Sequence, residues 1–218
     1  MEIMVSVVSE EEVLRKIRFD FMRPTAELNL RMLDDVEGIF SHLKGKEFSA
    51  KELLQNVADM ISKHLRIREV TIGLRSPADG LFRYEVMTGL RDETWEVHKV
   101  LVFDDNQFFD DETYKGKPLT KYTKLFLAET NPYAEGEEAT YSRPVMLQST
   151  RYNPDDSIEG DYLDVMIPGI EDHWIGWIET SGTRTGKLPD AATIRWLELI
   201  AHIVGAILVA RGPPVTPK

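Results

Sequence analysis

The chain reads as an α+β domain, an antiparallel sheet closed by helices. Three observations predict this. Tyr162-Leu-Asp-Val-Met-Ile-Pro168 and His173-Trp-Ile-Gly-Trp-Ile-Glu-Thr180 are two β-rich runs joined by Gly-Ile-Glu-Asp, which is a hairpin signature. From Thr193 to Ala210 the apolar spacing lengthens from two residues to about 3.6, the period of a helix. Earlier, Val70, Ile72 and Leu74 alternate with Thr71, Gly73 and Arg75, as in a strand with one buried face.

In chain order, three helices are expected first. Ser9 and Glu12 form a capping box, with Val8 and Val13 placed as a hydrophobic staple, and Val13, Leu14, Ile17 and Phe21 share one stripe before Pro24 ends the helix. A second helix runs from Thr25 to Leu43, with Leu28, Met32, Val36, Ile39 and Leu43 on one face, Leu33 and Phe40 widening it, and Gly45 as a stop. Ser49 with Glu52 caps a third helix whose buried face is Leu53, Leu54, Val57, Ile61 and Leu65, and Phe48 staples onto Leu53.

Strands follow. After the strand at Val70, Ser76-Pro-Ala-Asp-Gly80 is a turn, and Phe82, Tyr84 and Val86 alternate in the return strand. Gly89 and Arg91-Asp92 mark another turn, and the β-branched and aromatic run Trp95 to Phe103 reads as a third strand. Asp104 to Glu112 is acidic, Leu125 to Ala128 is a short strand, and Asn131 to Gly160 is a long stretch without sustained periodicity, the kind of loop that carries function. Gly and Pro between Thr185 and Pro189 lead into the last helix, and Gly212 to Lys218 is a tail that cannot continue it.

Composition removes several function classes. There are no cysteines, so disulfides, thiolate metal sites and cysteine nucleophiles are excluded. A formal charge of −11 repels phosphate backbones and anionic membranes, so neither nucleic acid nor membrane is an expected partner. Met1 to Val8 is too short and too quickly acidic for a signal peptide, and the Ile194–Ala210 stretch carries Arg195, Glu198 and His202, which favours a buried helix over a membrane span. The expected location is the cytoplasm. No phosphate loop, nucleophile elbow or zinc-protease helix is present, so no enzyme is expected.

From Leu53 to Ala210 the order of elements resembles a GAF domain, most clearly in Leu54-Gln-Asn-Val-Ala-Asp-Met-Ile61 leading into Val70-Thr-Ile-Gly-Leu74, and in Tyr162 to Ala210. One local departure is Leu188-Pro-Asp-Ala-Ala192, which lacks the acid that often closes the family's Thr-x-x-Asp helix start, although Pro189-Asp190 still suits one. The resemblance implies a PAS-related antiparallel sheet of about six strands with the N- and C-terminal helices packed on one face. It implies small ligands on the opposite face, beneath variable loops, and a homodimer through the flanking helices. On this reading residues 1–44 are a helical extension for dimerisation or signalling, 45–211 the GAF-like domain and 212–218 a flexible tail. The family's methionine sulfoxide reductases rely on cysteine, so their activity is excluded. The expected function is a non-catalytic sensor, and the alternative is a dimerisation or interaction module with no ligand.

Eight candidate ligand contacts follow. Arg75 at a strand end and Arg143 in the long loop are the basic groups nearest a pocket, suited to an anionic ligand, although surface pairing is the commoner fate of such groups. Trp174 and Trp177 are three apart and point to opposite faces of a regular strand, so one joins the helix-side core and the other faces the pocket. Trp177, Trp95, Tyr84 and Tyr141 together suit an aromatic cleft, with core packing as the plainer reading. Asn106 opens Asn106-Gln107-Phe108-Phe109-Asp110-Asp111-Glu112, which departs from the family's cyclic-nucleotide signature because Gln replaces Lys and the acids stand too close to the Phe residues. The same acids lack the spacing of an EF-hand. His98 is the first candidate for the single-histidine haem attachment the family admits. No two of the five histidines have metal-ligand spacing, so no metal is assigned and the cofactor is left open.

Overall fold

The computed structural model describes residues 28–41, 48–110, 112, 114–130, 145 and 149–211. The expected helix at 9–21, the Gly45 stop, the 212–218 tail, Tyr141 and Arg143 lie outside the described residues. The elements are α1 (Leu28–Phe40), α2 (Ala50–His64), β1 (Ile67–Arg75), β2 (Phe82–Thr88), α3 (Asp92–His98), β3 (Val102–Phe103), α4 (Asp105–Phe108), β4 (Lys117–Pro118), β5 (Thr123–Phe126), β6 (Tyr162–Pro168), β7 (Trp174–Thr183) and α5 (Ala191–Arg211). The strands form one antiparallel sheet in the order β3-β2-β1-β7-β6-β5-β4. The described residues form seven strands, in keeping with the expected sheet of about six, and two of them are only two residues long.

α1, α2 and α5 share one face of this sheet. Ser49 Oγ accepts from the Glu52 amide at 3.2 Å and starts α2, whose Leu53, Leu54, Val57, Ala58 and Ile61 are fully buried. They join Ile72, Val165 and Ile178 of the sheet and Leu197, Ile200, Val204 and Ile207 of α5 in one core. Met32, Val36 and Ile39 of α1 belong to the same core, and a close contact between Asp35 and His64 joins α1 to α2. Leu33 and Phe40, expected to widen that stripe, instead face outward at 51% and 41% exposure. α5 is long and apolar enough to cross a bilayer by length and composition, but its apolar side is the core of the sheet. Asp190 Oδ1 accepts from the Thr193 amide at 2.8 Å, so the Pro189-Asp190 start is the real one. Gly205 lets α5 approach β6 closely, because a Cβ there would lie 2.1 Å from the Pro168 carbonyl oxygen.

Two local expectations fail. Trp95 to Phe103 is not a strand: residues 92–98 are helical and only Val102–Phe103 pair with β2. Asp92 and Glu93 favour a helix N-terminus, and Thr94 and His98, four apart, turn one side inward, with His98 Nδ1 2.9 Å from the Thr94 carbonyl. The short strand before the long loop is Thr123–Phe126 rather than 125–128.

Candidate functional site

Strand register puts different chemistry on the two sides of the sheet. On the helix side, Val86, Ile72, Ile178 and Val165 stand across β2, β1, β7 and β6 as one apolar rung. Stepping one residue along β1, β7 and β6, and two along β2 where the pairing slips between Ile72 and Gly73, reaches the other face. There Tyr84, Gly73, Trp177 and Met166 form one rung, Thr71, Glu179, Asp164 and Lys124 the next, and Glu69, Ser181, Tyr162 and Phe126 the third. These rungs floor a cleft of about 410 Å³.

The walls come from the segments between strands. Leu90, Arg91 and the α3 residues Thr94 and His98 stand on one side, with Leu101, Phe103, Gln107, Phe108 and Tyr114, and Glu159-Gly160 approach from the other. Asp104 caps the four-residue α4 through a capping box with Gln107, which turns Gln107 and Phe108 toward the cleft. Phe108 stacks on Phe82 with centroids 4.2 Å apart and lies 4.8 Å from the Trp177 ring. Tyr84 meets Trp177 edge-on at 4.9 Å and His98 at 5.1 Å. The Trp177 indole lies over Gly73, where a Cβ would be 2.1 Å from the ring. Glycine at this position is thus what admits the tryptophan. Behind Glu159-Gly160, buried Asp161 accepts from the amides of Ala128 and Ile158 and pairs with Arg151 at 2.8 Å, and Arg151 also holds Glu129.

The floor is acidic. Tyr84 donates its hydroxyl to Glu179 Oε2 at 2.8 Å, and Thr71 donates to Oε1 at 3.3 Å. Asp164 stands directly opposite Glu179, and its Oδ1 is buried with no hydrogen-bond partner among the described residues. Burial, and then the Glu179 carboxylate, push the Asp164 carboxyl well above its ordinary range. Burial and Glu179 likewise push the Tyr84 phenol up, so it stays protonated and donates. Glu69 at the rim is also raised, by desolvation and by Glu159 and Glu179.

Tyr84, His98 and Trp177 of the eight candidates line the cleft together. Arg75 does not. Its guanidinium holds the Gly80 carbonyl at 2.9 Å and Asp105 at 2.7 Å and lies over Phe82, bracing the β1–β2 turn against α4 from outside. Trp95 is on α3 but does not line the cleft, and Asn106 is an exposed residue of α4 beside the two that do. Trp174 and Trp177 pack against one cluster rather than on opposite faces, because the pairing slips between Ile167 and Pro168 and the alternation breaks at Ile175. Thr71, Asp164 and Glu179 were not singled out from the sequence. The signal was present: each is a polar residue between core positions in a central strand. Among the described residues no group of three or more His, Asp or Glu side chains is arranged to hold a metal ion.

No protein-family model and no curated protein matches the chain. Solved structures do. The GAF domain of A. aeolicus nlh2 in an inactive state aligns over 85% of this chain and 99% of its own, at 13% identity and a TM-score of 0.53. The GAF domain/HD domain protein from Geobacter sulfurreducens aligns over 81% and 97%, at 10% identity and a TM-score of 0.53. The free methionine-R-sulfoxide reductase of Neisseria meningitidis, solved in complex with its substrate, aligns over 85% and 93% at 11% identity and a TM-score of 0.51. Identities this low speak to architecture alone, and by that architecture the chain has the fold of a GAF domain.

Proposed function

We propose that this chain is a non-catalytic sensor domain of the cytoplasm that binds a small molecule in the cleft and passes its occupancy to the helices on the other side of the sheet. The observation that carries this is the cleft itself: about 410 Å³, floored by the strands that also pack the helices. Leu163, Val165 and Ile167 are buried while Asp164 between them lines the cleft, so any shift of Asp164 moves a backbone on which α5 rests. Signalling then requires only that the ligand bind two helix arrangements with different affinity. The neighbouring reductase supports a ligand role, since it has this architecture and was solved with its substrate. Cysteine-dependent reduction is closed to this chain, which has none.

The test is a thermal-shift library screen on the full chain and on Trp177→Ala. A compound that raises the melting temperature by several degrees in the first and not in the second supports a ligand in the cleft. A screen without such a compound counts against it.

A second reading, homodimerisation through the flanking helices, rests on the outward apolar groups Leu33 and Phe40 of α1 and Leu199 and Val209 of α5, which are 40–51% exposed. Light scattering of the full chain decides it: a dimer mass supports it and a monomer mass rules it out.

A further inference from the structure

The cleft joins an acidic floor to aromatic walls. Glu179 has both oxygens engaged by hydroxyls, while Asp164 Oδ1, one strand away in direct register, has no hydrogen-bond partner among the described residues. Like charges facing each other across strands destabilise a sheet, and an unpaired carboxyl out of water is costly. Packing does not require them, since apolar or hydroxyl residues would fill both positions. The chain's own cations do not resolve the conflict. Lys124 follows Asp164 on the same rung and Arg91 stands at the rim, yet Asp164 and Glu69 both remain raised. Above the floor is open volume, bounded by the rings of Trp177, Tyr84, Phe103 and Phe108. An anion would face Glu69, Glu159, Asp164 and Glu179 against Arg91, and a neutral molecule would leave the repulsion between Asp164 and Glu179 uncompensated.

We propose that the cleft takes an organic cation, with a primary ammonium group seated between Asp164 and Glu179 and an apolar or aromatic body against Trp177, Phe103 and Phe108. This rests on the reading of the cleft as a ligand site. An ammonium carries three donors and no acceptor, which matches a floor that offers carboxyl oxygens. It satisfies the orphan Asp164 oxygen and separates the two acids. Its charge also lies within reach of the Trp177 and Tyr84 rings, whose faces attract cations. The net charge of −11 draws such ligands toward the protein from a distance.

Three molecules of one shape and three charges test the assignment by isothermal titration of the full chain: phenethylamine, 2-phenylethanol and 3-phenylpropanoate. Phenethylamine is expected to bind roughly tenfold more tightly than the alcohol, and the propanoate not to bind. Asp164→Asn and Glu179→Gln each weaken phenethylamine by about tenfold and leave the alcohol unchanged. Glu96→Gln removes an exposed acid paired with Lys99 and leaves all three unchanged, which separates a local contact from general attraction to an acidic protein. Circular dichroism checks that each variant is folded. Preference for the propanoate, equal binding of amine and alcohol, amine binding that survives both substitutions, or no amine binding overturns the cation assignment. If compounds from the library screen still bind the cleft, the sensor reading stands without it; if none does, both fall.

Discussion

On the helix side of the central strands, Val86, Ile72, Ile178 and Val165 are sealed beneath α2 and α5. One residue along the same strands, Thr71, Glu179 and Asp164 face open volume, and Asp164 has an oxygen unpartnered among the described residues. The backbone and its hydrogen bonds are common to both. The difference is that one face spends every side chain on burial, whereas the other keeps a cavity, glycine at 73 and two facing acids. Stability on this sheet is therefore expected to be asymmetric, and four substitutions probe that asymmetry.

The largest effect belongs to the helix side. Ile178→Ala deletes three carbons from a side chain with 0% exposure and should cost about 3 kcal/mol, from lost burial plus the cavity left behind. Its neighbour provides the contrast. Glu179→Ala loses the Tyr84 and Thr71 hydrogen bonds but also removes the charge facing Asp164, so the net change should stay within about 1 kcal/mol. Urea denaturation of both variants measures the gap. Equal losses would mean that the two faces contribute alike and that the cleft is packed as a core.

An intermediate effect is expected at Gly73. Any Cβ there collides with the Trp177 ring, which is flanked by Phe108, Phe82 and Tyr84 and cannot retreat freely. Gly73→Val should cost about 2 kcal/mol by overpacking and turn the indole into the cleft. Unfolding gives the first quantity, and a shift in Trp fluorescence the second. A variant of unchanged stability and emission would show that the cleft side yields to added volume.

The helix side was the more legible half in the sequence, and the reason is physical. Burial repeats with the period of its element, so the Val70–Leu74 alternation, the Ser49 cap and the Asp190 helix start all appear as short-range patterns. The cleft side has no such period. Tyr84, His98 and Trp177 were found because aromatic and imidazole groups attract notice singly. Thr71, Asp164 and Glu179 come together only through the register of β1, β7 and β6, across more than ninety residues of chain between Thr71 and Asp164. The pairing of Arg75 with Asp105 likewise joins residues distant in sequence. The 92–98 helix was missed because its aromatic and β-branched content outweighed the Asp92–Glu93 start and the Thr94–His98 spacing. Residues 104–160 supply the walls at Gln107, Phe108, Tyr114 and Glu159-Gly160, while most of the floor lies in β1, β2, β6 and β7.

The smallest expected effect has the opposite sign and falls on Asp164. Its carboxyl is raised in the folded chain, by burial first and by Glu179 second, relative to an unfolded chain where it titrates normally. Folding therefore favours the protonated form. That stability is fully present below the ordinary carboxylate pKa and is lost as pH rises toward the higher folded value. At neutral pH wild type carries this penalty, and Asp164→Asn, which has no proton to lose, does not. The variant should be more stable at pH 7 by about 1 kcal/mol, the scale for relieving a poorly satisfied buried group. The advantage should shrink as pH falls toward 4. Melting temperatures of both proteins from pH 4 to pH 8 measure it. A constant difference would mean that Asp164 does not titrate within the range, and a loss of stability at pH 7 would mean that its carboxylate has a partner within the fold. A gain in stability coupled to weaker phenethylamine binding would show that this face keeps its acid for a ligand at a cost to folding.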